Sequence, residues 1–424
     1  MSNLTPVTKA VNYILGYFTA LDMQYVNLRE AARRTLANPI YSELSLPPFD
    51  ASSVDGFAIR SADVKTASVN SPITLDVVAD IPAGDSKWHS LEPGEAIRIM
   101  TGAMMPAGAD AVVMVENTDY GERLAGTPLP KQVKVMQKII PGANIRPKGQ
   151  DINVGDEVFA SCQNIRPQDL GMLAMLGVAE VPVIRRPRIG VITPGDELIT
   201  PGDPLDPGKV YESNSHMLKA LIKDCGAESL DFGIVADNPE YIKAYLDKSI
   251  ANGIDLFITT GGISVGAYDF IRALLETEGE LRLWRVNMRP GKPLVFGHYR
   301  DVPFIGLPGN PVSAYVSFQI FVKPILRKML MKSPIQRVVR KVQLLDPIHS
   351  DGRESYLRAN AKSNNSAWTA HLTGHQGSGN LHSLVQANTL LIIPAGVTYL
   401  PEGSKVDAWF FAEEQDTRYG GTDL

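Results

Sequence analysis

Two cysteines, Cys162 and Cys225, are all that the 424 residues contain. So sparse a set builds neither a disulfide framework nor a cysteine-rich zinc site, and it suits a reducing compartment. Long apolar runs are missing too, since no stretch approaches the roughly 18 uncharged residues of a membrane span. The N-terminus lacks the basic-then-apolar order of a signal peptide. The expectation is therefore a cytoplasmic chain with no membrane. A basic excess is also absent: 41 Lys and Arg against 46 Asp and Glu leave a formal net charge of −5. That argues against nucleic acid as a partner but leaves room for small anions at a local positive site. No cysteine–histidine arrangement points to covalent catalysis. The seven histidines include no pair at zinc-ligand spacing near a third ligand. His371 and His375 are four apart but lie in strand-like sequence, and they read as structural or exposed.

Glycine and proline are plentiful, with 36 and 30 copies placed between short runs. One core rarely grows past about 250–300 residues, so this length implies two to four domains. Residues 6–35 read as helical, with Asn27 and Glu30 at capping-box spacing. Residues 46–58 break that pattern with Pro47, Pro48 and Gly56 and form a loop. Alternating runs at 73–79, 96–100, 111–116, 132–138 and 155–160 predict a β-rich module. The helix expected at 167–176 returns to the first helical layer. From 187 to 330 the character changes. Strands are expected at 188–193, 229–235, 256–260, 294–297 and 303–305. Helices are expected at 214–225, 239–251, 267–275 and 311–330. This alternation describes βα units with a mainly parallel sheet, which binds ligands outside the carboxyl ends of its strands. Strands at 337–345, 355–360, 367–372, 390–394 and 405–410 predict a small β barrel or sandwich, and 411–424 a polar tail.

The expected class is a multidomain α/β plus β chain. A central three-layer α/β domain occupies 181–330. Residues 1–60 and 145–180 make a helical or mixed domain, a β-rich insertion covers 61–144, and a small β domain covers 331–410.

Chemistry gathers at loops. Leu256-Phe257-Ile258-Thr259-Thr260 runs into Gly261-Gly262-Ile263-Ser264-Val265-Gly266. Successive amides in such a loop cradle an oxyanion, and glycines let phosphate approach the backbone. A bare tight turn uses the same glycines. Asp269 follows, either capping amides or holding a cation beside phosphate. Arg289-Pro290-Gly291-Lys292-Pro293 presents Lys292 rigidly, with Arg289 three residues before it; a surface basic pair is the plain alternative. Gly306-Leu307-Pro308-Gly309-Asn310-Pro311-Val312-Ser313 joins a strand to a helix whose cap Asn310 can supply. Two glycine loops at neighbouring strand ends imply a crevice. Thr193-Pro194-Gly195-Asp196-Glu197-Leu198 puts acids near it, where they repel phosphate unless Mg²⁺ intervenes or a proton is retained. Glu212 begins the next helix, with charge complementarity as its simplest role. Asp55 and Asp151 sit in distant polar loops and read equally as turn residues.

This ordered set resembles the molybdopterin molybdenumtransferase family, which includes the terminal domain of gephyrin. The resemblance spans nearly the whole chain. It rests on 52–58, 94–103, 106–113, 193–198, 260–266, 290–293 and 306–313, together with Gly374-His375-Gln376-Gly377-Ser378 and Ala387-Asn388. It implies a homodimer whose cleft lies between the α/β domain of one subunit and an N-terminal region of the other. It implies adenylated molybdopterin and molybdate as substrates, Mg²⁺ as cofactor and AMP as leaving group. Molybdenum is left on the dithiolene sulfurs. Tungstate resembles molybdate in size and charge, and no residue plainly separates them. Carried over residue by residue, the acids are Asp55, Asp151, Glu197, Glu212 and Asp269. Glu212 stands where the family has an aspartate. The metal falls to Glu197, Glu212 and Asp269. The binding positions are Thr101, Gly261, Gly262, Ser264, Gly266, Lys292, Gly309, Asn310 and Ser313. An upstream adenylyltransferase and acceptor molybdoenzymes are implied partners. The rival readings are the adenylyltransferase itself and a non-catalytic dimeric scaffold; the absence of a long Pro/Ser linker argues against the scaffold.

Overall fold

The computed structural model describes residues 4–121, 128–236, 238–261, 270–334, 337–364 and 367–411. The chain forms two compact units.

One unit comprises Pro39–Ala160 with Met172–Gly177. Its centre is a five-stranded sheet. The spatial order is Ala111–Met114, Gly56–Ile59, Glu95–Ile99, Ile73–Ile81 and Gln132–Val135. Only the Ile73–Ile81 and Glu95–Ile99 strands run parallel; the other pairings are antiparallel. The strand Gln132–Val135 alternates exposed and buried residues, as a sheet with one covered face requires. Phe57, Ile59, Leu75, Val113 and Val133 fill that core. Gly56 is fixed by its neighbour strand: a Cβ there would lie 2.0 Å from the Val113 carbonyl oxygen.

The other unit comprises Met1–Asn38, Ser161–Gly171 and Val178–Leu424. Its six-stranded sheet has the order Glu228–Val235, Arg188–Pro194, Leu256–Thr260, Val302–Leu307, Pro293–Tyr299 and Gly279–Arg285. The first four strands are parallel and the last two antiparallel to their neighbours. Successive side chains of a strand point to opposite faces, and the two faces have separate cores. Leu256, Ile258, Leu294, Phe296, Ile305 and Leu307 share a core with Leu218 and Ile222 of the helix Asn214–Asp224. Phe257, Val295 and Phe304 share the other with Ile242, Leu246, Leu274 and Leu275 of the opposite helices. Helix, sheet and helix thus give three layers.

Two helical expectations need correction. Residues 6–35 are not one helical region. The helix Val7–Leu15 stops at Gly16, and Met23–Asn27 is a strand paired antiparallel with Glu180–Ile184. Partner strand hydrogen bonds override local propensity there. Asn27 still caps, accepting from the Arg29 amide, but it starts only a short 3-10 turn. The helix Val7–Leu15 also buries Val7, Ala10 and Ile14 in the core beneath the α/β sheet. The helix expected at 311–330 is continuous but mixed: Pro311–Ser317 is α, Phe318–Val322 is π and Lys323–Met329 is α. The edge strand Gly279–Arg285 was not foreseen.

The C-terminal strands close into a five-stranded barrel. Glu354–Asn364 pairs with Ala367–Leu372, which is followed around the ring by Val339–Leu344, Lys405–Phe410 and Thr389–Ile393; the last pairs back with Glu354–Asn364. Closure removes exposed edges.

Gly56→Ala tests the sheet of the first unit. The added methyl has backbone on its far side, so overpacking should cost about 1–3 kcal/mol. Urea unfolding followed by tryptophan fluorescence should show the earlier midpoint; an unchanged midpoint would contradict the packing described.

Candidate functional site

The chain leaves the Arg188–Pro194 strand toward one edge of the sheet, through Glu228–Val235, and then returns to the other side through Leu256–Thr260. Strand order reverses between Arg188–Pro194 and Leu256–Thr260. In such sheets the carboxyl ends at the reversal leave a crevice. Here it is a cleft of about 660 Å³. Pro194, Glu197 and Glu212 line it with Gly261, Gly309 and Asn310.

Gly261, the first residue of one glycine loop, meets the other loop there. The Gly261 amide donates to the Leu307 carbonyl at 3.1 Å, and a Cβ on Gly309 would lie 3.6 Å from the Gly261 Cα. Gly261 has φ +100°, a conformation that favours glycine. At the ends of the neighbouring strands a crevice is therefore present between Gly261 and the 309–311 segment. Gly262, Ser264, Gly266 and Asp269 lie outside the described residues.

Asn310 occupies the N-cap of the Pro311–Ser317 helix, but its exposed side chain makes no capping hydrogen bond. The capping role expected for it is thus not the one seen. The Val312 amide is taken instead by the Ser378 carbonyl at 3.1 Å. Ser313, one residue further, is buried. Lys292 is exposed and is not among the residues lining the cleft. The antiparallel register Val295↔Gly306 carries it to the same sheet edge as the 308–310 loop. Gly291 holds it close, since a Cβ there would meet Ser317 Oγ at 2.7 Å. Arg289 lies 3.9 Å from Asp351, which favours the structural reading for that residue.

The acids divide. Glu197 is exposed at the cleft. A parallel two-residue ribbon, Leu198–Ile199 with Val210–Tyr211, ties its loop to that of Glu212. Glu212 is only 4 % exposed, and both its oxygens are engaged. They accept from the Ser215 amide at 2.7 Å and the Ser215 hydroxyl at 2.6 Å. This is an N-terminal capping arrangement on the Asn214–Asp224 helix. Among the described residues no three of His, Cys, Asp and Glu gather as a metal-binding group.

Among the lining residues, Asn214 and Gly379 were given no binding role from sequence. Asn214 donates to the Gly309 carbonyl at 2.7 Å and so pins the glycine loop. Its Oδ1, with the Thr193 and Thr260 hydroxyls, is buried without a hydrogen bond among the described residues. Buried polar atoms rarely stay unpaired, so this wall suits a polar ligand. Gly379 comes from the barrel. Arg358, buried at 1 % exposure, holds that loop: its guanidinium donates to Ser383 Oγ at 3.0 Å and to the Gly377 carbonyl at 2.9 Å. Burial pushes its pKa down to about 10, which leaves it charged at neutral pH.

Asp55, Thr101 and Asp151 belong to the other unit. The Thr101 amide and hydroxyl both donate to Asp55 Oδ1 at 2.7 Å. These bonds, the amide first, hold the Asp55 carboxyl below the usual aspartate range against a smaller opposing effect of burial. Asp151 is half-exposed and ion-paired to Arg146. Its loop lies beside that of Asp55, because Ala51 pairs with Arg146 and the Asp151 amide donates to the Leu46 carbonyl at 2.9 Å.

A lowered carboxyl pKa stabilises the folded unit above the ordinary aspartate range, and that contribution is lost as pH falls through the folded value. Thr101→Val removes one donor, so the Asp55 titration should move up toward the ordinary value in a carboxyl NMR titration. Acid unfolding should lose part of its pH dependence. An unmoved Asp55 titration would overturn the assignment.

Comparison with known proteins gives the family. Residues 5–177 match the MoeA N-terminal region (domain I and II), residues 190–328 a probable molybdopterin binding domain, and residues 341–411 the MoeA C-terminal region (domain IV). A molybdopterin molybdenumtransferase of Nostoc sp. is 39 % identical over 412 residues, covering 94 % of this chain and 92 % of that protein. The Bacillus subtilis molybdopterin molybdenumtransferase is 34 % identical, covering 98 % and 96 %. The crystal structure of a molybdopterin biosynthesis MoeA protein from Pyrococcus horikoshii superposes with a TM-score of 0.80 at 29 % identity, covering 97 % of this chain and 100 % of that one. The chain belongs to the molybdopterin molybdenumtransferase family.

Proposed function

We propose that this enzyme inserts molybdenum from molybdate into adenylated molybdopterin, cleaving the pyrophosphate link and releasing AMP. The observation that carries the reading is the approach of Gly261 and Gly309 across the switch-point cleft. Bare main chain from two loops leaves room there for phosphate oxygens, and the cleft volume is within the range of small-molecule sites. The adjoining polar wall of Thr193, Asn214 and Thr260 supplies unspent hydrogen-bonding capacity.

In this reading the main chain at Gly261 and Gly309 seats the pyrophosphate, with Gly262, Ser264 and Gly266 continuing the seat. Lys292 contributes positive charge from the neighbouring strand end. Asn310 and Ser313 bind beside it. Glu212 holds the Asn214–Asp224 helix, and through it Asn214, against the Gly309 loop. The donor set fits Mg²⁺, which is commonly held by one or two carboxylates plus phosphate oxygens. Glu197 would hold it, with Asp269 as a further acid, and the bound ion would offset pyrophosphate charge. Glu212, expected beside them, has both oxygens taken by Ser215 and is left to position the helix. Asp55, positioned by Thr101, and Asp151 would orient water or molybdate in a cleft completed by a second copy of the chain. Sulfur ligation of molybdenum is the cofactor's own chemistry, so the protein supplies position and field. Tungstate is an alternative substrate. A cytoplasmic location fits two cysteines that form no disulfide, and among the described residues no helix is long and apolar enough to cross a membrane.

Glu197→Ala should reduce AMP release from adenylated molybdopterin in the presence of molybdate and Mg²⁺ by a factor on the order of 10², the cost of removing one electrostatic contact at a reacting phosphate. Unchanged release would sink the metal-side assignment. Gly309→Val, which pushes side-chain carbon toward Gly261, should weaken substrate binding in the same assay.

A further inference from the structure

We propose that a second cavity in the same unit binds a small organic anion with an aromatic or apolar body, of the class of an aryl phosphate or aryl carboxylate. The cavity is about 320 Å³ and shares no lining residue with the switch-point cleft. That volume lies at the lower end of small-molecule sites.

Its walls combine three features. Tyr315, Phe318, Trp409 and Phe411 give it aromatic surface, with Tyr315 and Phe411 edge to face at 5.9 Å. Among the described lining residues, Lys323, Arg327 and Lys332 stand against one carboxylate, Asp224, so cations outnumber acids in that lining. Main chain fixes two of these cations: Arg327 Nε donates to the Ser333 carbonyl at 2.7 Å and Lys332 Nζ to the Cys225 carbonyl at 3.1 Å. Finally, the wall holds unspent hydrogen-bonding capacity. Trp409 is 1 % exposed and Gln319 6 % exposed, yet Trp409 Nε1 and Gln319 Oε1 have no hydrogen-bond partner among the described residues. Leaving such groups unpaired is costly.

Gln319 and Phe318 reach this wall from the π-helical turn Phe318–Val322. Turns of that kind inside α-helices recur at functional sites. Its helix begins at Pro311, which lines the first cleft. Aromatic faces take the flat body of a ligand, cations take its charge, and the indole N–H donates to an anionic oxygen.

The test uses the full chain labelled with 5-fluorotryptophan, with Trp409→Phe assigning the Trp409 ¹⁹F resonance. Titration with phenyl phosphate should move that resonance saturably while those of Trp88 and Trp368 stay in place. Lys323→Glu should weaken this binding about tenfold or more, equivalent to about 1.4 kcal/mol. Lys323→Met, which keeps the apolar stem, serves if the reversal does not fold, and it should weaken binding in the same direction. A static Trp409 signal, or binding that neither Lys323 variant alters, would overturn the proposal. So would inorganic phosphate binding as tightly as phenyl phosphate, because the aromatic wall would then contribute nothing.

Discussion

The architecture of the candidate site depends on one close approach. At the switch point of the parallel sheet, Gly261, directly after Leu256–Thr260, and the loop after Val302–Leu307 come together with main chain facing main chain. The hydrogen bond from Gly261 to Leu307 joins them, and a Cβ on Gly309 would stand in van der Waals contact with Gly261. Side chains at these positions would fill the space in which a phosphate oxygen fits. The cleft therefore follows from sheet topology and two glycines, and the surrounding polar groups serve to hold that geometry.

Those supports come from two directions. Glu212 caps the Asn214–Asp224 helix through Ser215, and Asn214 then reaches the Gly309 carbonyl. The barrel contributes Ser378, which accepts from the first turn of the Pro311–Ser317 helix, and Gly379 at the cleft wall. Arg358 ties that barrel loop through main-chain carbonyls. A buried guanidinium is costly unless its donors are satisfied, and satisfying them here orders a loop that borders the cleft. Asp55 shows the same economy in the other unit, where one threonine supplies both the amide and the hydroxyl that keep its carboxylate ionised.

Much of the element pattern was legible in the sequence because hydrophobic period and turn residues are local signals. Leu256–Thr260 is apolar on both faces because helices cover both, and the helix Pro239–Ala251 carries its Asn238 cap and first-turn proline in plain view. The segment Met23–Asn27 was misread as helical because its strand identity rests on Glu180–Ile184, more than 150 positions away. Asn214 and Gly379 gave no local sign of a binding role. An asparagine starting a helix and a glycine in a serine–glycine loop have ordinary structural readings, and only the folded chain shows which carbonyl or cavity they meet.

The sequence by itself determined the alternation of strands and helices, the glycine loops after two strands, and the family to which these ordered motifs belong. All of these are written in residue type and spacing. Tertiary structure alone decided that the barrel loop borders the α/β cleft, that Glu212 spends its carboxylate on Ser215 while Glu197 stays exposed, and that Asp55 is paired with Thr101. The physical reason is that a side chain's ionisation and availability depend on which groups surround it after packing, and those groups come from segments far apart along the chain.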